Sequence, residues 1–276
     1  MRIRIDLAYD GTDFHGWAAQ PGLRTVQGTL EPALATALRI PAARVVCAGR
    51  TDTGVHARGQ VAHLDLEPGL LSGSAGRSQD SPTVALRGRL NGILPRDLRI
   101  RRVGEAPEGF DARFSAHWRR YAYRVADDPW RVDPLRRHHV LVWPRPLDLD
   151  AMNEASDMLL GLRDFAAFCR RREGATTIRT LLDLTWVRDD EGVAVATVRA
   201  DAFCHSMVRS LVGCLLAIGD GRRPVRWAVD VLSAARRDPS ATVARALGLT
   251  LEEVGYPADD ELAAQARHTR ALREVR

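Results

Sequence analysis

The order of strand-like and helix-like segments constrains this chain's fold more than any single motif, because nearly the same order occurs twice. Residues 2 to 8 alternate apolar and polar side chains, as a half-buried strand does. A helix is predicted from about Thr25 to Leu38, where Val26, Leu30, Leu34 and Leu38 fall on one face. Arg44 to Cys47 and Gln60 to Leu66 read as strands. Ser81-Pro82 is a cap followed by proline and opens a helix carrying Leu86, Leu90, Ile93 and Leu94. Residues 98 to 103 add a strand, completing β-α-β-β-α-β, the split βαβ unit. The second half repeats the scheme. A strand at about Trp118 to Val125 precedes a helix at about Asp150 to Leu160. Strands at 180–188 and 193–200 flank the turn Asp189-Asp190-Glu191-Gly192, and a helix follows from about His205 to Ile218. Further helices are expected near 225–236 and 240–246. No residue-level repeat accompanies this order, so the likeness of the halves is architectural. The expected class is α+β: two pseudo-related βαββα(β) halves of antiparallel and mixed sheet, with helices on one face and a cleft between the halves. The domains are placed at 1–105 and 106–258, followed by a charged, partly helical tail at 259–276. The Gly- and Ser-rich segment 67–82 reads as a mobile surface insertion.

The 276 residues supply ample core for this plan. Hydrophobic content of 45% and charged content of 27% describe a soluble globular chain, and no apolar run is long enough to span a bilayer. The N-terminus lacks a signal-peptide core, so a cytoplasmic location is expected. All 40 basic residues are arginine, the net charge is +5, and the pI is about 9.5. A GC-rich genome accounts for most of that bias. A polyanionic partner is the functional reading, because guanidinium forks pair well with phosphate. Cys47, Cys169, Cys204 and Cys214 form no CxxC pair and are expected as reduced, mostly buried thiols.

The richest functional signal is residues 48 to 63, Ala-Gly-Arg-Thr-Asp-Thr-Gly-Val-His-Ala-Arg-Gly-Gln-Val-Ala-His. The run starts at a strand end and contains Gly49, Gly54 and Gly59 around one acid, Asp52, with Arg50 and Arg58 close by. A carboxylate in such a loop is most often a turn residue. Set among cations on a rigid scaffold, it can instead stay ionised and attack carbon covalently. His56 and His63 are seven residues apart, across a loop and a strand, which is not metal-ligand spacing. His63 reads as a strand residue with a satisfied hydrogen bond. Tyr9-Asp10-Gly11-Thr12 ends the first strand. An aspartyl phosphatase would need a second acid two residues from Asp10, where Ala8 and Thr12 stand, so an Asp-Gly turn is preferred. Neither GxxxxGK[ST] nor a strand-linked GxGxxG occurs, so no nucleotide cofactor is expected.

Residues 110 to 125 interleave aromatics with arginines. Tyr121, Tyr123 and Val125 fall on one strand face, and Arg120, Ala122 and Arg124 on the other. This is either an ordinary amphipathic strand or an aromatic surface that stacks a base beside phosphate-binding cations. Arg170-Arg171-Arg172 adds a basic cluster. In Phe203-Cys204-His205-Ser206-Met207-Val208-Arg209, Arg209 is a cation one turn into an apolar helix, facing either a surface partner or the Asp52 loop.

In order along the chain, these motifs resemble the TruA family of tRNA pseudouridine synthases. The resemblance rests on Tyr9-Asp10-Gly11-Thr12 with Gly16-Trp17, on Gly49-Arg50-Thr51-Asp52-x-Gly54-Val55-His56-Ala57 and on Gly59-Gln60-Val61. It continues through Phe110-Asp111-Ala112-Arg113-Phe114-Ser115-Ala116, Arg120-Tyr121-x-Tyr123, Asp164-Phe165, His205-x-Met207-Val208-Arg209 and Gly255-Tyr256-Pro257. It departs at Thr53, Ala18-Ala19, Ser206 and the longer 67–82 segment. The resemblance implies an isomerase that converts uridine to pseudouridine at positions 38 to 40 of the tRNA anticodon stem-loop, without metal or other cofactor. It also implies a homodimer in which one tRNA bridges two subunits. Asp52 matches the family's catalytic aspartate, whose attack at sugar C1′ or ring C6 is left open. Arg50 matches a residue that holds the flipped state, Tyr121 the aromatic against the target base, and Arg209 the partner of the acid. Phe110, Asp111, Ala112, Arg113 and Phe114 match an RNA-contacting stretch, to which the cluster at Arg171 and Arg172 adds charge. The main competing reading is a non-catalytic RNA-binding sheet platform, which has no need of Asp52.

Overall fold

The alternation at the N-terminus becomes β1 (Arg2–Tyr9) in the computed structural model, with Ile3, Ile5, Leu7 and Tyr9 buried. Residues 1–74, 79–170, 176–234, 236 and 241–270 are described. Next comes α1 (Val26–Leu38), which starts where Thr25 Oγ1 accepts from the Gly28 N–H at 3.1 Å. Its predicted stripe Val26, Leu30, Leu34 and Leu38 is buried, and Arg39 closes the helix in the left-handed region at φ 57°. Then follow β2 (Val46–Cys47), β3 (His56–Asp65), α2 (Leu70–Ser74), α3 (Pro82–Ile93), β4 (Leu98–Glu105) and β5 (Trp118–Ala126). After these come β6 (Leu141–Val142), α4 (Leu149–Asp157), β7 (Gly161–Asp164), β8 (Ile178–Arg188) and β9 (Ala194–Ala200). The chain continues with α5 (Met207–Gly219), α6 (Trp227–Ser233), β10 (Leu249–Gly255) and α7 (Leu262–Arg270). The class is α+β, as expected.

The chain divides into two compact units. The first holds Met1–His117 and the described residues from Leu251 onward; the second holds Trp118–Thr250. Residues 106–117 and the tail helix α7 therefore belong with the first unit, whereas the sequence division ran at 105 and 258. In the first unit the strand order is β4-β1-β3-β10, with β2 also on β3. The β1–β3, β1–β4 and β2–β3 pairs are antiparallel. In the second the order is β5-β9-β8-β7, antiparallel throughout, and β6 adds a parallel pair to β5.

Several expectations are corrected. β6 and β7 are too short to leave an alternation in the sequence. β3 begins at His56, not Gln60, so the end of the glycine-rich run is itself strand. Part of the 67–82 segment is the helix α2, while 75–78 lie outside the described residues. The helix expected at 240–246 does not form over its described residues. There the Ala244 N–H donates to the Arg209 carbonyl at 3.0 Å, and the Ala244 carbonyl accepts from Arg209 Nε at 2.7 Å. These tertiary bonds to α5 take the groups a helix would use and override the propensity of an alanine-rich segment. Finally, Cys169 and Cys204, read as scattered, are neighbours: their Cα atoms are 5.7 Å apart. The adjacent bond from the Arg170 N–H to the His205 carbonyl (3.0 Å) brings the two segments together. Cys47 and Cys214 are buried, and burial pushes the Cys47 thiol up to about 12.

Candidate active site

Between β2 and β3 the chain makes the loop that carries Asp52, and main-chain contacts fix its path. The Val55 N–H donates to the Asp52 carbonyl at 3.1 Å, closing a turn, and Gly54 takes φ +76°, which favours glycine. The segment after β1 grips this turn. The Trp17 N–H donates to the Thr51 carbonyl at 3.0 Å, and the Gly54 N–H donates to the Phe14 carbonyl at 3.2 Å. Gly11 lies so close to the Val55 carbonyl that a Cβ there has no room. A Cβ on Gly16 would meet the Thr51 carbonyl oxygen at 2.9 Å. Thr51 is buried, Asp52 half-buried and Arg50 exposed. The loop thus presents one carboxylate on a main chain held from several sides, the arrangement a positioned nucleophile needs.

Arg58 is engaged by Glu252 at 3.2 Å within the first unit. Asp10 is the turn residue it was read to be: its Oδ1 accepts from the Thr12 N–H at 3.0 Å and from Thr12 Oγ1 at 2.6 Å. His56 is buried; its Nδ1 accepts from the Gly11 N–H at 3.0 Å and lies 3.1 Å from Asp10. His63 Nδ1 accepts from the Ala112 N–H at 3.0 Å, and burial lowers this imidazole below its ordinary value. Among the described residues no group of three or more His, Cys, Asp or Glu is arranged to hold a metal ion.

The 110–116 stretch also lies in the first unit, and its side chains divide by role. Phe110 and Ala112 are buried. Phe110 packs 5.0 Å from the Tyr256 ring, and Ala112 accepts from the Tyr256 hydroxyl at 2.7 Å. Asp111 Oδ1 accepts from the Arg113 and Phe114 N–H groups, each at 2.9 Å, which folds the turn. Arg113 faces solvent beside a half-buried Phe114, whose ring carries the Arg113 guanidinium at 5.0 Å and that of Arg270, from α7, at 4.5 Å. From this stretch, then, Arg113 is the exposed residue, with Asp111 and Phe114 half-buried.

In the second unit the candidate residues collect around the start of α5. Tyr121 on β5 packs edge-on against Phe203, 5.2 Å away. Arg209 is half-buried, and Ser206 enters the helix in the left-handed region at φ 64°. Cys169, beside Cys204, precedes the basic cluster, of which Arg171 and Arg172 lie outside the described residues. Tyr123, read with Tyr121 as one aromatic face, is core. Its hydroxyl donates to the Arg245 carbonyl at 2.6 Å, and burial raises the phenol. A Cβ on Gly248 would come within 2.7 Å of its ring. Phe203 was visible in the sequence, but no periodicity assigned it to Tyr121.

Comparison with known proteins places this arrangement. A family profile described as tRNA pseudouridine synthase matches residues 155–257. The chain is 59% identical over 273 residues to tRNA pseudouridine synthase A of Frankia casuarinae, covering 99% of this chain and 96% of that protein. It is 58% identical over 277 residues to the protein of the same name from Streptomyces griseus, covering 100% and 95%. With the Mycobacterium leprae protein of that name the identity is 53% over 277 residues, covering 99% and 96%. The chain belongs to the tRNA pseudouridine synthase A (TruA) family and is an isomerase.

Proposed function

We propose that this chain isomerises uridine to pseudouridine at positions 38, 39 and 40 of the tRNA anticodon stem-loop, with Asp52 as nucleophile. The observation that carries the reading is the Asp52 loop: a half-buried carboxylate on a main chain tied to Phe14 and Trp17. The reaction breaks the N-glycosidic bond, turns the uracil and rejoins it through C5, with no net gain or loss of atoms. At sugar C1′ the carboxylate displaces the uracil and is displaced in turn by C5. At ring C6 it adds across the C5–C6 double bond and is eliminated after the C1′–C5 bond has formed. In either case C5 gives up its proton and N1 gains one. The target base must leave its stack. Arg50, exposed two residues before Asp52, is assigned to holding the flipped state, and Tyr121, backed by Phe203, to packing against the base. Arg209 is assigned to the charge of the acid. Arg113 and Phe114 are the assigned RNA contacts on the first unit, and Arg171 and Arg172 are proposed to extend them. A homodimer that grips one tRNA with two basic faces fits a long polyanion, and a tRNA substrate implies work in the cytoplasm. No metal or organic cofactor enters these steps.

The test is pseudouridine formation on an unmodified tRNA with uridines at 38 to 40, mapped at nucleotide resolution. Wild type and Asp52→Asn are compared. Product is expected from wild type alone, with tRNA binding retained in the variant. Turnover near wild type by Asp52→Asn would remove Asp52 from the chemistry.

A further inference from the structure

Tyr9 and Gln60 stand outside the Asp52 loop, yet their polar ends converge on it. The Tyr9 ring is buried against Phe14 and Trp17, each with its centroid 6.3 Å away, so a plain phenyl would fill the same space. Its hydroxyl is hydrogen-bonded to Thr51 Oγ1 at 2.7 Å. Gln60, on β3, is fully buried. Its Oε1 accepts from the Val61 N–H at 3.2 Å, which turns the amide nitrogen toward the loop. That nitrogen donates to the Gly49 carbonyl at 2.8 Å and to the Tyr9 hydroxyl at 3.3 Å. The three side chains form one network with two ends in the loop, at Gly49 and at Thr51. Between them lies Arg50, and directly after them Asp52.

Burying a glutamine amide and a phenol costs free energy unless every polar group is satisfied. Here the satisfaction is found in the residues that lead into Asp52. We infer that Tyr9, Gln60 and Thr51 are positioning residues, whose network sets the approach of the Asp52 carboxylate to the uridine. This rests on the reading of Asp52 as nucleophile. The network touches the chain before Asp52, while the Gly54–Phe14 and Trp17–Thr51 main-chain bonds hold the far side of the turn and Thr51 itself. The carboxylate is thereby fixed from both directions. A displacement of about 1 Å in such a group lowers a rate by about 10²-fold.

The experiment measures single-turnover pseudouridine formation at saturating tRNA, together with tRNA affinity and thermal unfolding. The variants are Tyr9→Phe, Thr51→Val, Thr51→Ser, the double Tyr9→Phe/Thr51→Val, and Asp52→Asn. Tyr9→Phe and Thr51→Val are each expected to slow the chemical step by about 10- to 100-fold, with affinity unchanged within about twofold. Thr51→Ser keeps the hydroxyl and is expected within about threefold of wild type. The double variant is expected to be no slower than the worse single, because both break one network. Wild-type rates in Tyr9→Phe and Thr51→Val overturn the inference, as does a loss confined to affinity. Equal losses in Thr51→Val and Thr51→Ser also overturn it. If Tyr9→Phe does not fold, the Thr51→Val and Thr51→Ser pair decides alone. An active Asp52→Asn would instead bring down the nucleophile reading and this inference together. An inactive Asp52→Asn beside an unaffected Tyr9→Phe removes only this inference.

Discussion

The Asp52 loop and α5 both depend on glycines that admit another main chain, but they are held in opposite ways. The loop has little core of its own. It is tied by backbone bonds to Phe14 and Trp17, by close approach to Gly11 and Gly16, and by the Tyr9–Thr51–Gln60 network. α5 is buried along nearly its whole length, with Arg209 the partly exposed exception. Its Gly213 faces the Thr242 carbonyl, with no room for a Cβ, and a Cβ on Gly219 would crowd Met152. Many small local ties can fail one at a time and shift a carboxylate. A core helix fails as a whole. Damage to the loop should therefore appear mainly in rate, and damage to α5 mainly in stability.

The sharpest way to break that contrast is a pair of alanine substitutions with the same steric cause. Gly213→Ala drives a methyl into the Thr242 main chain, which is itself bonded to α5 through Ala244. We expect a stability loss of about 3 kcal/mol by urea unfolding, near the upper end for overpacking a core. Gly11→Ala meets the Val55 carbonyl in a loop held by separate local bonds, not by a core helix. We expect a loss of about 1 kcal/mol and a rate about 10²-fold lower. Equal stability losses, or a rate effect confined to Gly213→Ala, would erase the distinction.

Legibility in the sequence follows the same division. β1, α1, α3, β8, β9 and α5 were readable because one buried face writes a period of 2 or 3.6 into the residues. The Asp52 loop was readable because glycines and one acid cluster within a few positions. The partners that shape the sites were not. Tyr9 and Gln60 are 51 positions apart and Cys169 and Cys204 are 35 apart; only the fold makes them neighbours. The segment 242–244 was misread because its bonds to Arg209 leave no local trace. The arginine excess also reads differently in the structure. Arg2, Arg24 and Arg188 make forked pairs with Asp65, Asp97 and Asp127, so part of the positive charge is spent inside the protein.

Next in size is a contrast between the two tyrosines of β5. Tyr123→Phe removes the buried phenol's hydrogen bond to the Arg245 carbonyl, and we expect a loss of about 1 kcal/mol with activity per folded molecule retained. Tyr121→Phe keeps the ring against Phe203 and should keep much of the base stacking, whereas Tyr121→Ala should not. Chemical denaturation with single-turnover assays separates these outcomes. Equal activity losses in Tyr121→Phe and Tyr121→Ala would move Tyr121's role from the ring to the hydroxyl.

The smallest expected effect concerns pH and the 110–116 stretch. His63 accepts from the Ala112 N–H through Nδ1, so this nitrogen must be unprotonated. Burial, and then the positive charge of Arg2, lowers the imidazole below its ordinary 6.5. In the range between the lowered and the ordinary value, the unfolded chain binds more protons than the folded one. The contribution of His63 is therefore full above about pH 6.5 and is lost as pH falls through its folded value. Urea unfolding between about pH 8 and pH 5 should show stability declining on the acid side. His63→Gln supplies an acceptor that does not titrate, and its profile should be measurably flatter there. An identical slope in the variant would assign the acid sensitivity to other groups and leave the Ala112 contact without a pH-dependent role.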